Sequence, residues 1–242
     1  MQNSKFINKG IILMSDKTNP QCAICEVKNR VCESRNGKGP NFCPTKNHKK
    51  SIEKAMKEYR KPEVSSFARM ASIQEGEGYL NRDLKPFIVH PYKTRVQEIC
   101  EFAKRMGYKK LGVAFCGALH SEAHTLEKIL DAQGFQVVSV ACKAGCIPKE
   151  SIGIEEEEKV RIGEFEPMCN PISQAFILNE EKTDFNILVG LCVGHDSLFF
   201  KYSKAFTTVL IAKDRVLAHN PAGALYTTNI YYSRLLTPMI SR

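Results

Sequence analysis

Three short apolar runs that each end in cysteine constrain this chain more than any other feature. They are KLGVAFC at 110–116, FQVVSVAC at 135–142 and NILVGLC at 186–192. A nearly unbroken apolar run of this length reads as a strand buried on both faces, as in parallel sheets. The intervening stretches have helical spacing instead. Residues 93–107 put Val96, Ile99, Cys100, Phe102, Ala103 and Met106 on one face and close at Gly107. Residues 120–134 form a second amphipathic stretch ended by Gly134, and 170–184 a third, with Asn170 as cap and Pro171 at the first helical position. A short helix at 195–204 and a fourth strand at 206–214 follow. This alternation predicts an α/β domain: an open, mainly parallel sheet with helices on both faces.

In such sheets ligands bind outside the carboxyl ends of the strands. Cys116, Cys142 and Cys192 each fall at that edge. Cys146 follows Cys142 by one loop step, and Cys169 precedes a helix N-terminus, whose dipole favours thiolate. His120 and His195 lie in the loops after the first and third strands, and Asp196 stands ready to orient an imidazole or to cap the helix it precedes. The competing reading is that cysteine packs as a small hydrophobe. Against it, the sulfurs gather at one edge while Val, Ile, Leu and Phe fill the other apolar positions. A nucleophilic version uses a low-pKa Cys116 or Cys192 with His195 as base and Asp196 as orienter, although adjacent residues on one backbone rarely point into one triad. No GxGxxG, GxxxxGK[ST] or GxSxG occurs at the strand ends, so a phosphate-cradling loop has no support. The polar interval 143–167 lies over the same edge, as a lid or an inert insertion.

The first quarter differs in kind. Residues 1–61 hold 14 Lys and Arg against 5 acidic residues, so the whole formal charge of +9 resides there. Within it, Cys22, Cys25, Cys32 and Cys43 are spaced C-x2-C-x6-C-x10-C, with little apolar material to order the segment. Ten cysteines in a chain without a secretory signal (GIILM is too short an apolar core) suggest metal ligation or catalysis in a reducing, cytoplasmic setting more than disulfides. Four thiolates suit zinc or an iron–sulfur cluster, and the spacing does not choose between them. The reading is a small metal knuckle, with His48 as an alternative ligand. The organisation that follows is a flexible tail at 1–20, a four-cysteine knuckle at 21–50, a helical connector at 51–90 with Ser51 as N-cap of its first helix, and the α/β domain at 91–242. No stretch reaches the roughly 18 apolar residues that would span a bilayer.

Several stretches resemble a known family: CAIC, CPT, GVAFCGAL with Glu122 and Ala123, SVACKAGC, CNPISQAFILN, TDFNILVGLCVGHDSLFFKYS and KDRVLAHNPAGALY. They look like the uncharacterised, predicted metal-binding family called domain of unknown function 1847. The resemblance implies metal binding and places Cys116, Cys142, Cys146, Cys169, Cys192, His195 and Asp196 within family-like motifs. The expectation is a metal-binding protein, holding iron–sulfur or zinc, whose cysteine-lined sheet edge serves redox or sulfur-transfer chemistry on a small molecule or redox partner. The alternative is a zinc-knuckle module that binds nucleic acid through the basic first quarter; from residue 21 to 61 only Phe42 and Tyr59 offer stacking.

Overall fold

A computed structural model describes residues 19–238, so most of the tail at 1–20 lies outside the described residues. The chain divides into two compact units, one ending at Arg69 and the other beginning at Met70.

The first unit opens with a single 3-10 turn at Cys22–Ile24, and a parallel bridge joins Arg30 to Lys38. Helices α1 (Pro44–Asn47) and α2 (Lys49–Glu58) follow. Helix α2 begins two residues before the expected Ser51, because His48, whose backbone is non-helical (φ −115°, ψ 35°), both ends α1 and takes the cap position of α2, its carbonyl accepting from the Ile52 amide at 3.1 Å. Pro62 starts α3 (Pro62–Glu77), where its fixed φ and missing N–H cost nothing.

The second unit carries α4 (Arg95–Arg105), β1 (Lys110–Phe115), α5 (His120–Ala132), β2 (Gln136–Ala141), α6 (Pro171–Glu180), β3 (Phe185–Val189), α7 (His195–Tyr202), β4 (Thr207–Ile211) and α8 (Ala222–Tyr226). All strand pairs are parallel and the order is β2-β1-β3-β4. After β2 the chain crosses to the far side of β1, and right-handed crossovers in opposite directions put α5 on one face and α6 and α7 on the other. Phe102 of α4 packs on Phe185 with ring centroids 5.6 Å apart, so α4 covers the face shared by Phe185, Ile187 and Val189. On the other face Ala114 and Leu188 pack with Ala175 and Leu178 of α6 and Phe199 of α7.

Burial corrects one expectation. β1 and β3 are buried almost throughout, but only Val140 is buried in β2, because β2 is an edge strand whose outer flank has no neighbour. β4, the other edge, is half-buried, and Arg95 reinforces it by donating from Nε to the Val209 carbonyl at 2.7 Å.

Two glycines are set by close approach. A Cβ on Gly112 would lie 2.1 Å from Asn186 Oδ1, and one on Gly190 would lie 2.5 Å from Leu119 Cδ2, at a φ of +66°. Both let neighbouring elements close onto the sheet beneath the cysteine edge. Among the described residues no helix is long and apolar enough to cross a membrane.

Candidate thiolate site at the sheet edge

The strand order decides which sulfurs meet. Phe115 and Ala141 are the last paired residues of β1 and β2, and Cys116 and Cys142 stand one step beyond each. Neighbouring strands run about 4.8 Å apart, so the two thiols emerge side by side. The Cys142 carbonyl accepts from the Asn170 amide at 2.7 Å, which draws the start of α6, and Cys169 with it, to the same point. The Asn170 side chain caps α6 by accepting from the Ser173 amide, as its sequence position implied.

The result is a chain of three sulfurs with Cys142 in the middle, hydrogen-bonded to Cys116 on one side and Cys169 on the other. Cys142 is buried, whereas Cys116 and Cys169 are half-buried. The Gly117 amide donates to Cys142 Sγ at 3.4 Å, and Lys213 Nζ donates to Cys116 Sγ at 3.2 Å. The hydrogen bond from Cys142 holds the Cys116 thiol down to about 4, against burial, with further help from the Ala118 amide and the Lys213 ammonium. Cys169 is lowered to about 5, first by Cys142 and then by the nearby charges of Lys143 and His195, against burial and the Cys116 thiolate. Cys142 moves the opposite way, far above the ordinary thiol range, because its S–H is held as a hydrogen-bond donor to its neighbours and is buried. One S–H serves one partner at a time. We therefore assign Cys116, which alone has the lysine and the amide behind it, as the standing thiolate.

The other sequence candidates are placed differently. Cys192 is half-buried and its sulfur accepts from Arg215 at 3.0 Å. Cys146 is exposed, in a turn with a positive φ of 50°. His195 opens α7 and acts on Cys169 through its charge. The Asp196 carboxylate accepts from the amides of Gly194 and Ser197, at 3.1 and 2.7 Å, so it fixes its own loop; it lies within the first turn of α7 and not ahead of it, and Gly194 holds the cap position without a side-chain cap. His120 stacks on His124 and meets Phe115 edge-on. The interval 143–167 closes on itself through a bridge between Pro148 and Pro167, and Lys159 is buried in its middle between Glu150 and Glu156.

In the first unit, Cys25 donates its amide to the Cys22 carbonyl, and Arg30 donates to the Cys25 carbonyl at 3.4 Å. Cys43 is the buried one of the four and caps α1. Burial raises its thiol, but the Thr45 hydroxyl and the amides of Thr45 and Lys46 outweigh that and lower it. Among the described residues no three His, Cys, Asp or Glu side chains are arranged to hold a metal ion, in this segment or at the sheet edge. The chemistry of the donors nonetheless suits a soft metal: thiolates with N–H groups directed at sulfur.

A family model described as "Protein of unknown function (DUF1847)" matches residues 43–210. The chain belongs to this family. An uncharacterized protein of Methanocaldococcus jannaschii is 49% identical over 192 residues, which cover 79% of this chain and 91% of the relative. No solved structure matches. The DUF1847 match takes in Cys43 and every cysteine of the α/β body but stops short of Cys22, Cys25 and Cys32.

Three contributors to this sheet-edge cluster escape a reading of the cysteine pattern. Lys213 and Arg215 lie two residues apart in KDR, just past β4; the stretch KDRVLAHNPAGALY resembles the family, and β4 ends at the same edge as the cysteines, but neither gives these two residues a role. Gln174 is fully buried, and its Nε2 donates to the carbonyls of Phe115 and Val140, at 3.1 and 2.7 Å, just before the two central cysteines. A glutamine inside an amphipathic helix carries no sequence signal for that role.

Proposed function

We propose that this DUF1847 protein works through a cysteine-thiolate centre at the C-terminal edge of its sheet, performing thiol redox or sulfur-transfer chemistry. The observation that carries the reading is the contact of Cys116, Cys142 and Cys169, with Cys142 as a buried thiol between two partners. Cys116 is the nucleophile. Its thiolate attacks an electrophilic sulfur, a sulfur–sulfur bond forms, and the donor's leaving group departs with the electron pair. Cys142 sits where a resolving thiol belongs. Its proton passes to a neighbouring thiolate and its sulfur attacks Cys116 Sγ; the bond between Cys116 and the sulfur it took up breaks, that sulfur leaves as a thiolate or hydrosulfide with the electron pair, and a Cys116–Cys142 disulfide carries two electrons' worth of oxidation. The spacing of adjacent strands, about 4.8 Å, lies within the Cα separation of roughly 4.4–6.8 Å that disulfides span.

The test is site-resolved trapping of the anaerobic, reduced protein. Cys116 alkylates ahead of exposed Cys146 near pH 6, and mild oxidation yields the Cys116–Cys142 disulfide as the first product by peptide mass spectrometry. Equal reactivity of the two cysteines, together with random pairing, would overturn the proposal.

A second reading, an iron–sulfur cluster or zinc held by cysteine thiolates, has its support in the amide and cationic hydrogen bonds to sulfur at the sheet edge and in the four cysteines of the first unit. Cys116, Cys142 and Cys169 would be the ligands at one place and Cys22, Cys25, Cys32 and Cys43 at the other. A cluster would supply one-electron chemistry or a sulfur-accepting iron, and zinc would activate a thiolate. Iron, zinc and acid-labile sulfide measured on anaerobically purified protein separate the readings. The nucleic-acid alternative has as its support the basic surplus of residues 1–61 and the exposed lysines of α2.

A further inference from the structure

Lys213 and Arg215 belong to one short loop, yet they address sulfurs on two different strands. Lys213 donates to Cys116 beyond β1, and Arg215 to Cys192 beyond β3. The loop that presents them is tightly made. Asp214 Oδ1 accepts from the amides of Val216 and Leu217, at 2.9 and 2.8 Å. The Asp214 amide donates to His219 Nδ1 at 3.2 Å, and the His219 amide returns to the Asp214 carbonyl at 2.9 Å. The loop's own carboxylate is thereby occupied by backbone, and Asp196 across the site is likewise tied to amides. Both cations face thiols that are only half-buried, and Val193 beside Cys192 is almost wholly exposed, so the pair is open to solvent.

Building on the thiolate reading above, we infer that Lys213 and Arg215 form a clamp for an anionic substrate: a small sulfane-sulfur donor carrying an oxyanion, of the thiosulfate or thiosulfonate class, bound between Cys116 and Cys192. The two cations, each within hydrogen-bond reach of a thiol, receive the oxyanion while the sulfane sulfur meets Cys116. With thiosulfate the step balances without an oxidant. The Cys116 thiolate attacks the outer sulfur, the new sulfur–sulfur bond forms as the thiosulfate bond breaks, and sulfite leaves with the electron pair. A persulfide remains on Cys116, and three negative charges stand on each side of the reaction. Lys213, released from the thiolate as its charge moves outward, turns to the departing sulfite.

The test compares an anionic and a neutral electrophile at one sulfur. Iodoacetate and iodoacetamide both report thiolate fraction and nucleophilicity, so their rate ratio at Cys116 cancels both and leaves the local field. A unit charge about 4 Å away through water alters an encounter about fivefold. The ratio at Cys116 should therefore exceed that of neutral N-acetylcysteinamide about five- to twentyfold. It should return to the model-thiol value in the Lys213→Gln/Arg215→Gln double variant and survive in Lys213→Arg/Arg215→Lys. A wild-type ratio equal to the model thiol, or one unmoved by the double variant, overturns the clamp. Should Cys116 react with neither reagent, the thiolate centre fails, and calorimetric titration with sulfite still reads the clamp. Binding lost in the double variant supports it, and absence of binding to the wild type ends it.

Discussion

Cys142→Ala tests the sulfur chain at its middle. The largest influence holding Cys116 in the thiolate form is the hydrogen bond from Cys142. A hydrogen bond to a charged group contributes about 1.5–3 kcal/mol, which at 1.36 kcal/mol per unit moves a pKa by about 1–2 units. Cys116, now at about 4, would titrate about 1–2 units higher. Two consequences oppose each other. The thiolate fraction near pH 5 falls about two- to tenfold, but a more basic thiolate is a better nucleophile, with a Brønsted slope of about 0.4–0.5, or about 2.5- to tenfold here. The rate near pH 5 therefore stays almost constant while the plateau above pH 7 rises. The assay is stopped-flow alkylation of metal-free, reduced protein from pH 4 to 9, read at the Cys116 peptide. Cys142→Ser keeps a donor and should return the midpoint most of the way. A midpoint and plateau both unchanged in Cys142→Ala would refute the assignment of Cys142 as the donor.

Three further outcomes rest on the scaffold. Gly112→Ala drives a methyl against Asn186 Oδ1 and Leu178 Cδ1 and should cost about 1–3 kcal/mol in urea unfolding; a loss under about 0.5 kcal/mol contradicts the packing described. Gln174→Leu strips the Phe115 and Val140 carbonyls of a buried donor and should cost about 1–3 kcal/mol by the same measurement, whereas a neutral result means water replaces the amide. In the 143–167 loop, Lys149 holds Glu166 down to about 2, and Lys159 lowers Glu150 and Glu156. Carboxyls depressed in the fold stabilise it fully above their ordinary range near pH 4.5 and cease to do so as pH falls towards about 2. Pepsin cleavage beside exposed Phe165, relative to an unstructured peptide of the same sequence, should therefore rise between pH 4.5 and 2.5; a flat ratio denies the ion pairs that role.

The architecture was legible because hydrophobic periodicity is local. Apolar runs separated by 3.6-period stretches announce a parallel α/β sheet, and Asn170-Pro171 announces the start of α6. The failures are also local in origin. Nothing within FQVVSVAC says that its strand lies at an edge, and Ser51 looked like a cap only because the short α1 before it was not anticipated.

By itself the sequence determined that the chain builds a parallel sheet and carries cysteine at the carboxyl end of three strands. The tertiary structure decided which sulfurs touch. Cys116 and Cys142 meet because β1 and β2 are neighbours, Cys169 joins them because its backbone is hydrogen-bonded to Cys142, and Cys192 is paired instead with an arginine from beyond β4. Those adjacencies follow from strand order and crossover direction, properties of the assembled layers that no window of residues contains. Lys213, Arg215 and Gln174 became part of the site for the same reason: residues tens of positions apart acquire a shared electrostatic environment only once the sheet has brought them to one edge.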